Sequence, residues 1–145
     1  MTTTASRDTT TGPKIEHYYQ EKLENNGWST DEQVLVDGIT KYFCKADLAV
    51  SRFDISEAAR DNIQLFEFKN QSTSGTAEEK LDKAVAKLSL AVESGGYNSG
   101  TIILAGYGWS DVALYHYLYE FPTPDNIRII SMHQFEQDYL CPQHH

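Results

Sequence analysis

The chain has 145 residues, 40 % of them apolar, including nine Tyr and six Phe, which is enough for one domain with a proper core. No apolar run reaches the ~20 residues of a membrane-spanning helix, and the Thr-rich start lacks the apolar stretch of a signal peptide. A net charge of −9 with a pI near 4.9 weighs against holding nucleic acid through an overall basic surface, unless lysines gather on one face or metal ions offset the carboxylates.

Residues 1–12 read as a disordered lead-in and 13–141 as a single domain. Pro13 suits the first turn of a helix running to about Asn25, with Ile15, Tyr18, Tyr19, Lys22, Leu23 and Asn26 on one face and Gly27 as its stop. Residues 33–53 are β-rich: Val34-Leu35-Val36, a turn at Asp37-Gly38, then residues 39–43 and 46–53. A polar connection with a helical turn covers 54–62, and the next strand covers 63–68. Residues 71–75 form a loop, and Thr76 with Glu79 matches a capping box. The following helix has the clearest period in the chain, with Leu81, Ala84, Val85, Leu88, Ala91 and Val92 on one stripe before Gly95-Gly96.

Residues 101–107 are apolar without alternation, as expected of a strand covered on both faces. Ser110 caps a helix to about Glu120, residues 122–125 form a loop, 127–131 a last strand and 132–139 a terminal helix. The order α-β-β-β-α-β-α-β-α predicts an α/β (α+β) domain. In it an antiparallel meander joins a parallel crossover, giving a mixed sheet flanked by helices on both faces. Cys44 and Cys141 have neither metal-ligand spacing nor a disulfide framework, so a reducing cytoplasm is the expected compartment.

The chemistry-bearing stretch is Leu65-Phe66-Glu67-Phe68-Lys69, about twenty residues after Lys45-Ala46-Asp47. Side chains alternate along a strand, so Glu67 and Lys69 share one face while Phe66 and Phe68 share the other. Two charges on an apolar strand are unfavourable unless something pairs or uses them. A divalent cation held by Asp47 and Glu67, with Lys69 beside it and the Phe68 carbonyl between Glu67 and Lys69, is such a use. That set suits phosphodiester hydrolysis, which needs an activated water and stabilisation of the developing charge.

These residues resemble the PD-(D/E)XK nuclease superfamily, with Lys45-Ala46-Asp47 in place of Pro-Asp and Glu67-Phe68-Lys69 as (D/E)-x-K. Glu16, Leu23 and Gly27 are similar to the Glu-x6-Leu-x3-Gly pattern of many such nucleases. Lys69-Asn70-Gln71 leading into residues 74–80 resembles some restriction-type members. The resemblance implies a restriction-endonuclease-like core acting as a Mg²⁺- or Mn²⁺-dependent DNA endonuclease of restriction or homing type. Asp47 and Glu67 would be the metal ligands, Lys69 the catalytic lysine, and Glu16 and Gln71 supporting groups. A chain with one active site needs at least a homodimer to cut both strands of a duplex.

Each residue also has a plainer reading. Glu67 and Lys69 would form an ion pair on a solvated face, Asp47 would start a turn (with Asp37 or Asp54 as the metal aspartate), and Glu16 would favour the helix dipole. Gln71 would serve its own loop. Lys80, Lys83 and Lys87 form a stripe that suits phosphate contact or simple solvation, and Lys41, Lys45 and Arg52 form a second candidate DNA surface. Tyr97, Tyr107, Trp109, Tyr115, Tyr117 and Tyr119 read as core and interface, and His17, His116 and His133 as ordinary, partly buried histidines. The rival functions are a non-catalytic binding or regulatory subunit of the same fold, a junction nuclease, and an unrelated α/β domain.

Overall fold

The computed structural model describes residues 13–37, 43–71 and 81–141. The Thr-rich start, Gly38 of the predicted turn, Lys41, the Thr76/Glu79 capping box and Lys80 lie outside them. The elements are helix α1 (Pro13–Asn25), strands β1 (Ser29–Asp37), β2 (Phe43–Ser51) and β3 (Gln64–Asn70), helix α2 (Leu81–Gly95) and strand β4 (Ser99–Ala105). Helix α3 (Asp111–Tyr115), strand β5 (Ile127–Ser131) and helix α4 (Met132–Phe135) complete them. A single 3₁₀ turn, Arg60–Asn62, interrupts the polar connection before β3.

The five strands form one sheet in chain order, antiparallel from β1 to β3 and parallel from β3 to β5. There are thus two parallel crossovers, through α2 and through α3, behind the meander. Strand β1 begins at Ser29, earlier than the sequence suggests. It is an edge strand, and its leading Ser29-Thr30-Asp31-Glu32 lacks the apolar alternation that marks a half-buried strand.

Helix α1 ends in a Schellman arrangement. Trp28 N–H donates to the Leu23 carbonyl at 3.1 Å and Gly27 N–H to the Glu24 carbonyl at 3.2 Å, with Gly27 at φ 90°. Ser110 caps α3 by accepting from Ala113 N–H, and Ser131 caps α4 by accepting from Gln134 N–H, each at 3.1 Å. Both helices then widen into π turns, His116–Glu120 and Glu136–Leu140, which the sequence reading runs together with the helices.

Two cores sandwich the sheet. On one face α2 buries Leu81, Ala84, Leu88 and Ala91, the predicted stripe, against Leu65, Ile102 and Leu104, and α3 adds Ala113. Gly100 on β4 permits this approach, since a Cβ there would lie 2.8 Å from the Leu88 Cβ. On the other face α1 and α4 enclose Leu23, Leu48, Val50, Phe66, Phe68, Ile103 and Phe135. Phe135 is fully buried and meets Phe66, Phe68 and Tyr19 edge-on at centroid distances of 5.7, 5.6 and 5.5 Å. Each such large apolar side chain contributes about 1.5–3 kcal/mol by leaving water. Phe66 and Phe68 therefore anchor one side of β3, and their alternates are turned to the other.

Candidate active site

Strand β3 is buried from Leu65 through Phe68. It pairs with β2 only at Leu48↔Phe66, Ala49↔Leu65 and Val50↔Gln64, whereas its pairing with β4 continues to Asn70↔Ala105. One further step of the β2 register would set Asp47 opposite Glu67. Instead the ladder stops, and the Asp47 Oδ2 accepts the Phe68 N–H at 2.8 Å. A side chain thus replaces a main-chain acceptor where the two strands part, which places a carboxylate in the fork.

Three carboxyl groups meet there. Glu67 and Glu16 are each 5 % exposed, and the Glu16 side chain shares a hydrogen bond with that of Asp47. Burial pushes the Asp47 carboxyl up to about 7; the Phe68 N–H opposes this rise, and Glu16 adds to it. Glu67 is also raised, first by burial and then by the charge of Asp47, against the pull of Lys87 and Lys69. Lys69 Nζ lies 3.6 Å from Glu67 Oε2. Asp47, Glu67, Lys69 and Glu16 are therefore neighbours.

Lys87, from α2, is nearer still. Its Nζ lies 2.9 Å from Glu67 Oε1 and donates to the Lys45 carbonyl at 2.8 Å. Lys87 thus gives this buried oxygen a charged partner, whose charge and hydrogen bond both hold the Glu67 carboxyl down against burial. The sequence places Lys87 on a solvated stripe and misses this contact. The signal was its spacing from Ala84 and Ala91, at i−3 and i+4, whose small side chains border the sheet.

Gln71 is buried and serves a loop clamp. Its N–H donates to the Ala105 carbonyl at 3.0 Å, its carbonyl accepts from Gly108 N–H at 2.6 Å, and its side-chain amide donates to the Gly108 carbonyl at 3.1 Å. Between these contacts Gly106 has φ 92°, and a Cβ there would lie 2.4 Å from the Gln71 carbonyl oxygen. The clamp presents Tyr107 fully exposed, beyond the β4 end that runs beside β3. Trp109 is buried, with its indole N–H on the Ala105 carbonyl at 2.7 Å, and Tyr97 is buried too.

The candidate DNA-contacting residues divide. Lys83 and the Lys45 side chain are exposed. Arg52 stacks on the Trp28 ring at 3.6 Å and donates to the Asn26 carbonyl at 3.1 Å, roughly 16 Å along the chain from Asp47 by strand rise, and so packs the end of α1. The histidines, expected to be partly buried, are exposed: His17 faces Glu32 at 3.3 Å, His116 faces Glu120 at 3.4 Å, and His133 lies on the short α4.

Among the described residues no group of three or more His, Cys, Asp and Glu side chains is arranged to hold a metal ion. The donors a magnesium ion takes are fewer: one or two carboxylates, a main-chain carbonyl and waters. Asp47 and Glu67 match that hard-oxygen chemistry, and Glu67 Oε1 already faces a positive charge, the Lys87 ammonium at 2.9 Å.

No family model matches the chain, and no curated protein matches it. Among solved structures the chain is similar to the protein of unknown function AF1548, with a TM-score of 0.51 at 17 % identity. The match covers 81 % of this chain and 56 % of that one, so the chain spans little more than half of that protein's length. The likeness is one of fold. Among the described residues no helix is long and apolar enough to cross a membrane.

Proposed function

We propose that this chain is a Mg²⁺-dependent DNA endonuclease with a restriction-endonuclease-like core, hydrolysing phosphodiester bonds as a homodimer or larger homo-oligomer. The observation that supports this reading best is the juxtaposition of Asp47, Glu67 and Lys69 where β2 and β3 part, with Glu16 hydrogen-bonded to Asp47. Fold likeness alone would not carry it, because one fold hosts many activities.

Asp47 and Glu67 would hold the metal, which supplies Lewis acidity and a water of lowered pKa when bound. The rest falls to the chain. Lys69 carries a fixed positive charge at the mouth of the fork, where it offsets charge developing on the phosphoryl oxygens. Phe68 N–H and Glu16 orient Asp47, and the Phe66, Phe68 and Phe135 packing stiffens the strand that bears Glu67 and Lys69. In the overall reaction, water's oxygen bonds to phosphorus, the bridging P–O bond breaks, and a proton ends on the departing oxygen.

The net charge of −9 favours a second reading, a non-catalytic subunit of the same fold whose acidic surface meets a protein. Incubation of the wild-type protein with supercoiled plasmid, linear duplex, single-stranded DNA and RNA, with Mg²⁺ or with EDTA, separates the two. Metal-dependent scission of DNA is expected. Intact substrates throughout would favour the binding subunit.

A further inference from the structure

We infer that Lys87 is the site's resident counter-cation. It holds Glu67 in the metal-free protein and gives up that position when a divalent cation binds, so that Lys87 sets the metal affinity and leaves Lys69 to the substrate. This inference rests on the metal-dependent reading above.

Two lysines flank Glu67, and their geometries differ. Lys87 Nζ is 2.9 Å from Oε1 and has a second tether on the Lys45 carbonyl at 2.8 Å, two residues before Asp47. Lys69 Nζ stands 3.6 Å from Oε2. Lys87 therefore bridges α2, β2 and β3, whereas among the described residues Lys69 pairs with its own strand neighbour alone. The Lys87 charge acts on Asp47 as well as on Glu67. Two carboxylates packed this closely repel unless a positive charge lies beside them, and Lys87 supplies it without a metal.

The contact is also built to be released. The Lys87 side chain is 20 % exposed while that of Glu67 is 7 % exposed, so the ammonium reaches water more readily than the carboxylate does. A lysine swings about a flexible four-carbon stem and is readily rehydrated. A divalent cation at Glu67 repels a neighbouring ammonium, and the two compete for one oxygen.

The test needs no DNA. Wild type, Lys87→Gln, Lys87→Arg, Lys69→Gln and Lys83→Gln would be titrated with MgCl₂, and affinity read by calorimetry and by the metal-dependent rise in Tm. Glutamine keeps a donor for the Lys45 carbonyl but removes the competing charge. Lys87→Gln is expected to bind Mg²⁺ about tenfold more tightly, since one close unit charge is removed. Lys87→Arg should stay near wild type, and Lys69→Gln should change less than Lys87→Gln. A second readout uses wild type alone. Acetylation followed by mass spectrometry should find Lys87 slow without metal and several-fold faster with saturating Mg²⁺, with Lys83 unchanged.

Equal or weaker Mg²⁺ affinity in Lys87→Gln, no metal-dependent change in Lys87 labelling, or no Mg²⁺ binding by any form would overturn the inference. Cleavage of DNA by wild type alongside an unchanged Lys87→Gln affinity would sink it and leave the nuclease reading intact. The expected affinity and labelling changes without cleavage of any substrate would do the reverse.

Discussion

The Asp47 carboxylate on β2 accepts the main-chain N–H of Phe68 on β3 at 2.8 Å, where the ladder between the two strands has stopped. This bond fixes the carboxylate between Glu16 on one helix and the Glu67 strand. It also limits how far the Asp47 carboxyl is pushed up, to about 7: the N–H favours the ionised form, while burial and Glu16 oppose it more strongly.

The upward shifts of Asp47 and Glu67 set a pH dependence for the metal-free protein. The folded state binds these protons more tightly than the unfolded chain does. The resulting stabilisation is full below the unfolded Asp value of 3.8 and is lost as pH rises through about 7. For Asp47 its size is on the order of 4 kcal/mol. Urea titrations from acid to neutral pH are expected to show this slope reduced in Asp47→Asn, which keeps an acceptor for Phe68 N–H. Saturating Mg²⁺ should raise Tm more at pH 8 than at pH 5, because it selects the ionised carboxylates.

Lys69 should matter to chemistry more than to stability. Its 3.6 Å contact with Glu67 is partly solvated, and such pairs contribute about 0–1 kcal/mol. Lys69→Ala is expected to unfold within ~1 kcal/mol of wild type while losing DNA scission. Chemical denaturation and a plasmid assay on the same preparation check both halves.

The Gly106 turn admits no side chain. Ala there would adopt φ near 92° and press its Cβ against the Gln71 carbonyl. Gly106→Ala is expected to destabilise by more than ~2 kcal/mol, measured by thermal or urea unfolding. The neighbouring Tyr107→Ala, at a fully exposed residue, should leave stability within ~0.5 kcal/mol.

Arg52 and Lys83 should behave differently although the sequence offers both as DNA contacts. Arg52→Ala removes the stack on Trp28 and the bond to the Asn26 carbonyl, so a loss of about 1–2 kcal/mol in stability is expected with DNA affinity unchanged. Lys83, exposed on α2, should on Ala substitution weaken DNA binding and lower the salt slope by about one. Binding isotherms at several salt concentrations, with Ca²⁺ in place of Mg²⁺, distinguish them.

Much of this was legible in the chain because it rests on period. Helix α2 shows its buried stripe at helical spacing, and Phe66 and Phe68 separate from Glu67 and Lys69 by strand alternation alone. The start of β1 was not legible, since edge residues such as Asp31 and Glu32 satisfy water rather than a core. Neither was the inward turn of Lys87. Its charge places it among solvated residues, and only the packing of α2 on the sheet shows how far its stem reaches. Gln71 illustrates the same limit: its sequence context suggests a site residue, and its hydrogen bonds to the 105–108 segment depend on β4 lying beside β3.

The central claim is that the Asp47, Glu67 and Lys69 cluster cleaves DNA with a divalent metal. The most direct measurement is the rate of Mg²⁺-dependent plasmid nicking by wild type, Asp47→Ala, Glu67→Ala, Lys69→Ala and the surface control Lys83→Ala, at saturating enzyme and each verified as folded. Loss of nicking in the first three variants, with Lys83→Ala still cutting and EDTA silencing every form, is the expected result. Undiminished nicking by Glu67→Ala or Lys69→Ala, or scission that survives EDTA, would contradict the claim.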